Sequence, residues 1–125
     1  MDIRISDVVL CEFYFSDLEK SKNRPVLVFK DNLPHDDFIA IPISSKTKNI
    51  YDDELIIDKN DFENGDIPKI SKLMIRKTFV VSNKVVLKKY GTLTKDYGQA
   101  DIARYLDVSA ALILYVFRSS NEKSH

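Results

Sequence analysis

The sequence is poor in the residues that build disulfides, zinc sites and phosphate-binding loops. Its 125 residues include one cysteine, two histidines and three glycines. Cys11 cannot form a disulfide within the chain, and His35 and His125 do not have the spacing of a zinc site. The three glycines, Gly65, Gly91 and Gly98, do not have the spacing of the glycine-rich loop in P-loop or dinucleotide-binding enzymes. Both enzyme classes are therefore disfavoured.

Neither sign of charge is in excess, since 19 basic and 19 acidic residues give a formal net charge of zero. This balance argues against strong, non-specific electrostatic binding of long duplex nucleic acid, but it is compatible with a local basic groove. No apolar run approaches membrane-spanning length, and no basic segment leads into an apolar one at the N-terminus. We therefore expect a cytoplasmic protein with one domain over residues 1–118 and a polar, disordered tail over 119–125.

One arginine stands at the start of a strongly apolar stretch, Arg24-Pro-Val-Leu-Val-Phe. Pro25 favours an extended conformation for Arg24, and the residues that follow are typical of a buried strand, so we expect Arg24 at a strand entrance. A guanidinium held there could bind a carboxylate or a phosphate through its forked donors. The alternative is that Arg24 only caps a hairpin or pairs with a nearby carboxylate.

Alternation of apolar and polar residues predicts several short strands followed by one long helix. Cys11 falls in the first of these strands, which favours a small buried side chain over a nucleophile. Pro42 cannot donate a hydrogen bond, so its strand should lie at an edge or be interrupted there. We expect turns at Asn64-Gly65-Asp66 and a break at Gly91. The predicted strands cover residues 7–15, 24–29, 38–45, 54–58, 68–75, 78–81 and 84–87.

The predicted helix begins near Lys95, with Thr94 as its N-cap, and its apolar stripe runs from Ile102 to Phe117. Further apolar residues, among them Ala110 and Leu114, lie outside the stripe, which predicts burial on more than one side. We therefore expect a homodimer. The alternative is a monomer in which the linkers at 30–37 and 59–68 cover the second face.

Five segments in order resemble the MazF/PemK family of toxin endoribonucleases from type II toxin–antitoxin systems, and the resemblance spans roughly residues 6–117. It implies an α+β fold, mainly β, built as a small SH3-like barrel with a long C-terminal helix. It also implies a dimer that cuts single-stranded RNA without a metal or cofactor. A cognate antitoxin would cover the RNA groove, and contact with DNA would be only indirect, through that antitoxin. The segments begin at Asp7 (Asp-Val-Val-Leu), Phe13 (Phe-Tyr-Phe-Ser-Asp-Leu), Asn23 (Asn-Arg-Pro-Val-Leu-Val), Ile41 (Ile-Pro-Ile-Ser-Ser) and Lys88 (Lys-Lys-Tyr-Gly-Thr-Leu).

The resemblance places the family's catalytic arginine at Arg24 and its hydroxyl residue, usually threonine, at Ser44. Ser6 stands where the family usually has glycine, Asn23 replaces a small or apolar residue, and Lys46 stands where glutamine is common. Ser44 retains the hydroxyl, so chemistry is retained in principle, whereas the other changes are expected to alter sequence preference. A catalytically weakened paralogue is left open.

RNA cleavage can use the substrate's own 2′-hydroxyl as nucleophile, so the protein needs to align it and stabilise the charge on phosphorus. Arg24 and Ser44 are the predicted catalytic residues, and the general base is unassigned. Tyr14 or Phe15 could provide a stacking surface for a base. Predicted RNA-binding residues are Ser16, Lys20, Lys22, Ser45, Lys46, Arg76 and Lys77.

Two other classes of function remain open. Small SH3-like barrels also bind peptides or single strands without catalysis, and the chain could equally be a structural subunit. Incubation with single-stranded RNA in EDTA separates these alternatives. The toxin should give discrete fragments, a binding module only a mobility shift, and a structural subunit neither.

Overall fold

The computed structural model describes residues 2–15 and 20–95, together with Tyr97 and Ile102. This part of the chain forms one antiparallel sheet of eight strands that curls into a half-barrel, so the prediction of a mainly β fold is confirmed. The spatial order is β4-β6-β3-β2-β1-β8-β5, with β7 paired to β3. The strands are β1 (Asp7–Phe15), β2 (Lys20–Leu33), β3 (Asp37–Ser44), β4 (Glu54–Ile57), β5 (Phe62–Gly65), β6 (Ser71–Met74), β7 (Phe79–Ser82) and β8 (Val86–Leu93).

The first two strands pair in antiparallel orientation and carry core residues on both faces. Val9 and Val26 are opposite one another and pack in one buried cluster, whereas Val8 and Leu27 are opposite one another in a second cluster. This follows from the period of two in a strand, because successive side chains point to opposite faces. Runs of apolar residues in β1 and β2 are thus explained by a sheet that is covered on both sides.

Cys11 belongs to one of these clusters and is fully buried. Burial raises the pKa of its thiol to about 11, so the group is protonated at neutral pH. Because the thiolate is the reactive form of cysteine, a nucleophilic role is disfavoured. The prediction of a small buried side chain is confirmed.

The strand of Pro42 was predicted to lie at an edge or to be interrupted, but β3 runs through Pro42 and has partners on both sides. What changes near Pro42 is the pairing partner. On one side β3 pairs with β2 as far as Pro42. On its other side it pairs with β7 through residues 37–40 and with β6 through residues 43–44. Proline has no N–H to donate, so the point where one partner ends and the next begins is a position that tolerates it. The sheet therefore divides at Pro42.

The turn predicted at Gly65 and the break predicted at Gly91 are both wrong. The two glycines lie opposite one another in the pairing of β5 with β8. A Cβ on Gly91 would lie 2.3 Å from the carbonyl oxygen of Asn64, and a Cβ on Gly65 would lie 2.2 Å from that of Tyr90. The glycines thus permit a close approach of two strands, a role of glycine in sheets that a search for turns does not detect.

The predicted second strand was too short at both ends, and the position assigned to Arg24 was wrong. Strand β2 begins at Lys20, so Arg24 lies inside it, opposite Cys11, and not at its entrance. The strand also continues to Leu33 before the short 3₁₀ turn Pro34–Asp36. The prediction was too short because the apolar pattern marks only the buried middle of the strand, whereas backbone pairing extends beyond it at both ends.

The predicted C-terminal helix, its contribution to a dimer and the polar tail lie outside the described residues, apart from a few positions. Thr94 accepts a hydrogen bond from the backbone N–H of Tyr97 at 3.1 Å, and Ile102 is buried against one core cluster. Within the described part of the chain, no helix is long and apolar enough to span a membrane.

Candidate functional site

A cleft of about 260 Å³ opens where β2 and β3 separate. Their pairing includes Leu27 opposite Ile41 and ends with Val26 opposite Pro42. If the same register continued, Arg24 would stand opposite Ser44. Both residues line the cleft instead. The two predicted catalytic residues are therefore brought together by the division of the sheet at Pro42.

The charged side chains that line the cleft are all cationic among the residues described. They are Arg24 from β2, Lys46 from the segment after β3 and Lys69 from the segment before β6. No carboxylate belongs to the described lining, so a local positive potential arises on a chain whose net charge is zero. The remaining lining residues are Asn23, Pro25, Ile43, Ser44, Ser45, Ile67, Pro68, Ser71 and Tyr90.

Ser44 has a fixed orientation that leaves its proton available. Its Oγ accepts a hydrogen bond of 3.1 Å from the backbone N–H of Lys46. A hydroxyl can accept and donate at once, so Ser44 can still donate to an anion in the cleft. The same turn brings the Lys46 backbone to the cleft wall.

Arg24 lies on the exposed part of β2. In the described part of the chain, this guanidinium forms no ion pair with a carboxylate. The interpretation of Arg24 as the partner of a nearby carboxylate therefore gains no support. An exposed guanidinium beside a hydroxyl and two lysines is a suitable arrangement for binding phosphate.

A second, more open hollow of about 580 Å³ adjoins the cleft and shares Ser45 and Lys46 with it. Its other lining residues are Thr47, Lys48, Asn49, Tyr51 and Lys72. Lysine supplies most of the charge along this wall, so the basic surface continues from the cleft into the hollow. We call this second space the outer hollow.

A buried ion pair supports the outer hollow. The Nζ atom of Lys72 lies 2.8 Å from Oε1 of Glu54, and the two side chains are 9% and 1% exposed. Lys72 also donates to the carbonyl oxygen of Asn49 at 2.9 Å, and the backbone N–H of Tyr51 donates to Glu54. Burial by itself would raise the pKa of Glu54, but these hydrogen bonds and the charges of Lys72 and Arg76 outweigh it, so the pKa is lowered.

Tyr51 lines the outer hollow but not the cleft, and it is 56% exposed. The Lys72 ammonium is 5.4 Å from the centre of its ring and the Arg76 guanidinium is 5.0 Å away. Arg76 is also 3.6 Å from Asp53. Sequence reasoning missed Tyr51, although an aromatic residue in a polar loop next to two aspartates is itself a signal of exposure.

The other predicted RNA-binding residues are dispersed. Ser45 and Lys46 line the cleft, whereas Arg76 lies beside Tyr51. Lys77 is exposed and belongs to the lining of neither hollow. Lys20 and Lys22 are on the exposed end of β2, and Ser16 lies outside the described residues.

The two predicted stacking residues of β1 can be compared only in part. Tyr14 is 74% exposed, and its hydroxyl donates to Oε1 of Glu12 at 2.6 Å. That hydrogen bond and the charge of Glu12 raise the pKa of Tyr14. The side chain of Phe15 lies outside the described part of the structure. Tyr14 is therefore the member of the pair whose exposure is established.

The sequence of residues 4–112 matches the family model of the PemK-like, MazF-like toxins of type II toxin–antitoxin systems. The chain belongs to this family. Its fold is similar to that of the Mycobacterium tuberculosis toxin MazF-mt6, with a TM-score of 0.55 and 18% identity, over 79% of this chain and 96% of that one. No curated protein sequence matches the toxin significantly. The resemblance to this family seen in the sequence is thus confirmed.

Proposed function

We propose that this toxin is a metal-independent endoribonuclease, an mRNA interferase of the cytoplasm, that cuts single-stranded RNA in the cleft at Arg24 and Ser44. The observation that carries the proposal is the cationic cleft between β2 and β3, whose described lining contains three cations and no carboxylate. An RNA phosphate would be attracted there, whereas a divalent metal would find few of the oxygen ligands it prefers.

In the proposed reaction the substrate's 2′-oxygen attacks the adjacent phosphorus. A bond forms between that oxygen and phosphorus, the bond from phosphorus to the 5′-oxygen breaks, and the products carry a 2′,3′-cyclic phosphate and a 5′-hydroxyl. Arg24 would hold the non-bridging oxygens as their negative charge grows, and Ser44 would donate a hydrogen bond to the same phosphate. The proton of the 2′-hydroxyl passes to a base that remains unassigned, and the 5′-oxygen gains a proton.

The substrate strand would extend from the cleft along the exposed surfaces on either side. Lys20 and Lys22 could contact phosphates along β2, and Ser16 follows β1 in the connection between these strands. Ser45 and Lys46 would contact the strand in the cleft itself, and Arg76 and Lys77 beyond the outer hollow. Tyr14 or Phe15 could stack on a base. These assignments remain proposals, as do the homodimer and the antitoxin that would cover the groove.

A second candidate is a non-catalytic module that binds single-stranded RNA. The observation that favours it is chemical: no histidine or carboxylate, the commonest proton acceptors in catalysis, occurs in the described lining of the cleft. The departures at Asn23 and Lys46 from the family's usual residues are also compatible with a toxin that has lost part of its activity.

The deciding experiment is incubation of the purified protein with a long single-stranded RNA in EDTA. We expect discrete fragments that end in 2′,3′-cyclic phosphate. Arg24→Ala should lower the cleavage rate by about 100-fold to 1,000-fold, the usual effect of removing one preorganised donor to a developing oxyanion. Arg4→Ala is the matched control, because Arg4 is also exposed, pairs only with Asp2 in the described structure and lies outside the cleft.

A mobility shift without fragments would favour the binding module over the nuclease. Fragments produced by Arg24→Ala at the wild-type rate would contradict the assigned mechanism. Cleavage that disappears in EDTA and returns with added metal would contradict metal independence.

A further inference from the structure

Tyr51 is a large aromatic side chain that remains exposed on a loop held at both ends. Lys72 donates to the Asn49 carbonyl before the tyrosine and to the Glu54 carboxylate after it. The backbone N–H of Tyr51 itself donates to Glu54 at 2.9 Å. The backbone that carries the ring is therefore held by these polar contacts, although the ring itself is exposed.

A guanidinium lies next to this ring. Arg76 is 5.0 Å from the ring centre and is held 3.6 Å from Asp53. Aromatic rings and guanidinium planes are the two kinds of surface on which proteins stack unpaired bases. Tyr51 and Arg76 thus combine both at one place, next to a surface that carries lysines.

The outer hollow joins this pair to the cleft, because Ser45 and Lys46 line both spaces. A strand whose phosphate binds at Arg24 and Ser44 can therefore continue along Lys46 and Lys48 toward Tyr51. The wall between them carries cations for the phosphates, and the ring lines the outer hollow.

We propose that Tyr51, together with Arg76, is a base-binding subsite that stacks an unpaired RNA base adjacent to the cleavage site. The inference rests on the proposed function, since it requires single-stranded RNA to bind in the cleft. The subsite would contribute to affinity and to the choice of sequence, while Arg24 and Ser44 carry the chemistry. The opposing interpretation is that Arg76 and Lys72 contact the ring only to hold the loop.

The test measures RNA binding and cleavage separately. Cleavage of a long RNA first maps the cut, and a short oligonucleotide that spans it, with 2′-deoxyribose at the cut, then reports binding by fluorescence anisotropy without cleavage. Tyr51→Ala should raise the Kd by about 5-fold to 150-fold, the equivalent of losing one stacked base. On the cleavable RNA the same variant should raise KM and leave kcat unchanged.

Tyr51→Phe is the matched control, because it retains the ring and should bind as the wild type does. Both substitutions preserve the backbone N–H that donates to Glu54, so the loop contacts are kept. A second set of oligonucleotides carries an abasic site at each position around the cut. At one position the abasic site should lower the affinity of the wild type. The same abasic site should not lower the affinity of Tyr51→Ala, because that variant has already lost the stacked base.

Wild-type affinity of Tyr51→Ala for RNA would overturn the subsite, as would a loss of affinity that is the same for every abasic RNA. A loss of affinity for an antitoxin peptide without any loss for RNA would assign this surface to protein binding and also overturn it. If the wild type does not cut the long RNA, the abasic series is made instead on a short single-stranded RNA that it binds. A loss of affinity at one position that depends on Tyr51 would then leave the subsite standing while the nuclease proposal fails. If the wild type cuts RNA and Tyr51→Ala changes neither Kd nor KM, only the subsite fails.

Discussion

The ion pair between Glu54 and Lys72 should make a measurable contribution to the stability of the fold. Replacing one member of a buried pair commonly costs about 3–5 kcal/mol, because the other charge remains buried without its partner. In Glu54→Gln the Lys72 ammonium would retain two contacts, its hydrogen bond of 2.9 Å to the Asn49 carbonyl and its cation–π contact with the Tyr51 ring. We therefore expect a loss of about 2–3 kcal/mol, below the usual range.

The measurement is urea unfolding at neutral pH. With a slope of roughly 1–3 kcal/mol per molar urea for a domain of this size, the midpoint should fall by about 0.7–3 M. Asp53→Asn is the matched control, because Asp53 is in the same loop and its partner Arg76 is half exposed at 3.6 Å. A pair of that kind contributes less than about 1 kcal/mol.

The pH dependence gives a second test of the same prediction. The pKa of Glu54 is lowered in the folded chain from its ordinary value of 4.5. A lowered pKa means that the stabilisation is complete above the ordinary value and is lost as the pH falls through the folded value. The difference between wild type and Glu54→Gln should therefore be largest at neutral pH and shrink below pH 4.5. Equal costs for Glu54→Gln and Asp53→Asn, or a difference that persists in acid, would refute the reasoning.

Three further predictions concern the site, the sheet and the assembly. Ser44→Ala should slow RNA cleavage by only about 2-fold to 12-fold, the equivalent of one neutral hydrogen bond, and Ser44→Thr should retain activity. A complete loss of cleavage in Ser44→Ala would mean that the hydroxyl has another role. Gly91→Ala should lower the unfolding free energy by about 1–3 kcal/mol, since its Cβ would meet the Asn64 carbonyl, and unchanged urea unfolding would show that β5 is dispensable. Light scattering at micromolar concentration should give a mass near twice 14.4 kDa, and a monomer mass that persists on concentration would exclude the homodimer.

Strands were predicted well where they are buried and poorly where they are not. The bounds of β1 agree with the prediction, those of β3 differ by one residue at each end, and β4 ends one residue earlier than predicted, because apolar runs mark these segments. The exposed end of β2 was missed, since it pairs through its backbone and has no apolar pattern. Strand β5 was missed for a similar reason, since Gly65 and its polar neighbours have the composition of a turn.

Some residues of the candidate site could be predicted from the local sequence, whereas others depend on which strands pair. Arg24 and Ser44 could be selected because each stands at one end of an apolar run in the sequence and matches a family motif. Lys69 and Tyr90 could not, because they reach the site through segments that are distant in sequence from Arg24 and Ser44. Their positions depend on the pairing of β3 with β6 and of β1 with β8, which no local pattern encodes.

Pro42 links the architecture of the sheet to the charge of the cleft. Because β3 leaves β2 after this residue and continues with β6, the ends of β2 and β3 separate and their polar residues face a common space. Three cations collect there in a chain whose net charge is zero, while four aspartates line a different hollow: Asp2, Asp31, Asp36 and Asp37. Because the cations are gathered in the cleft, that region can attract a few phosphates, while a net charge of zero gives no overall attraction to a polyanion. A short single strand satisfies that requirement, whereas a long duplex would need a basic surface that this neutral chain does not supply.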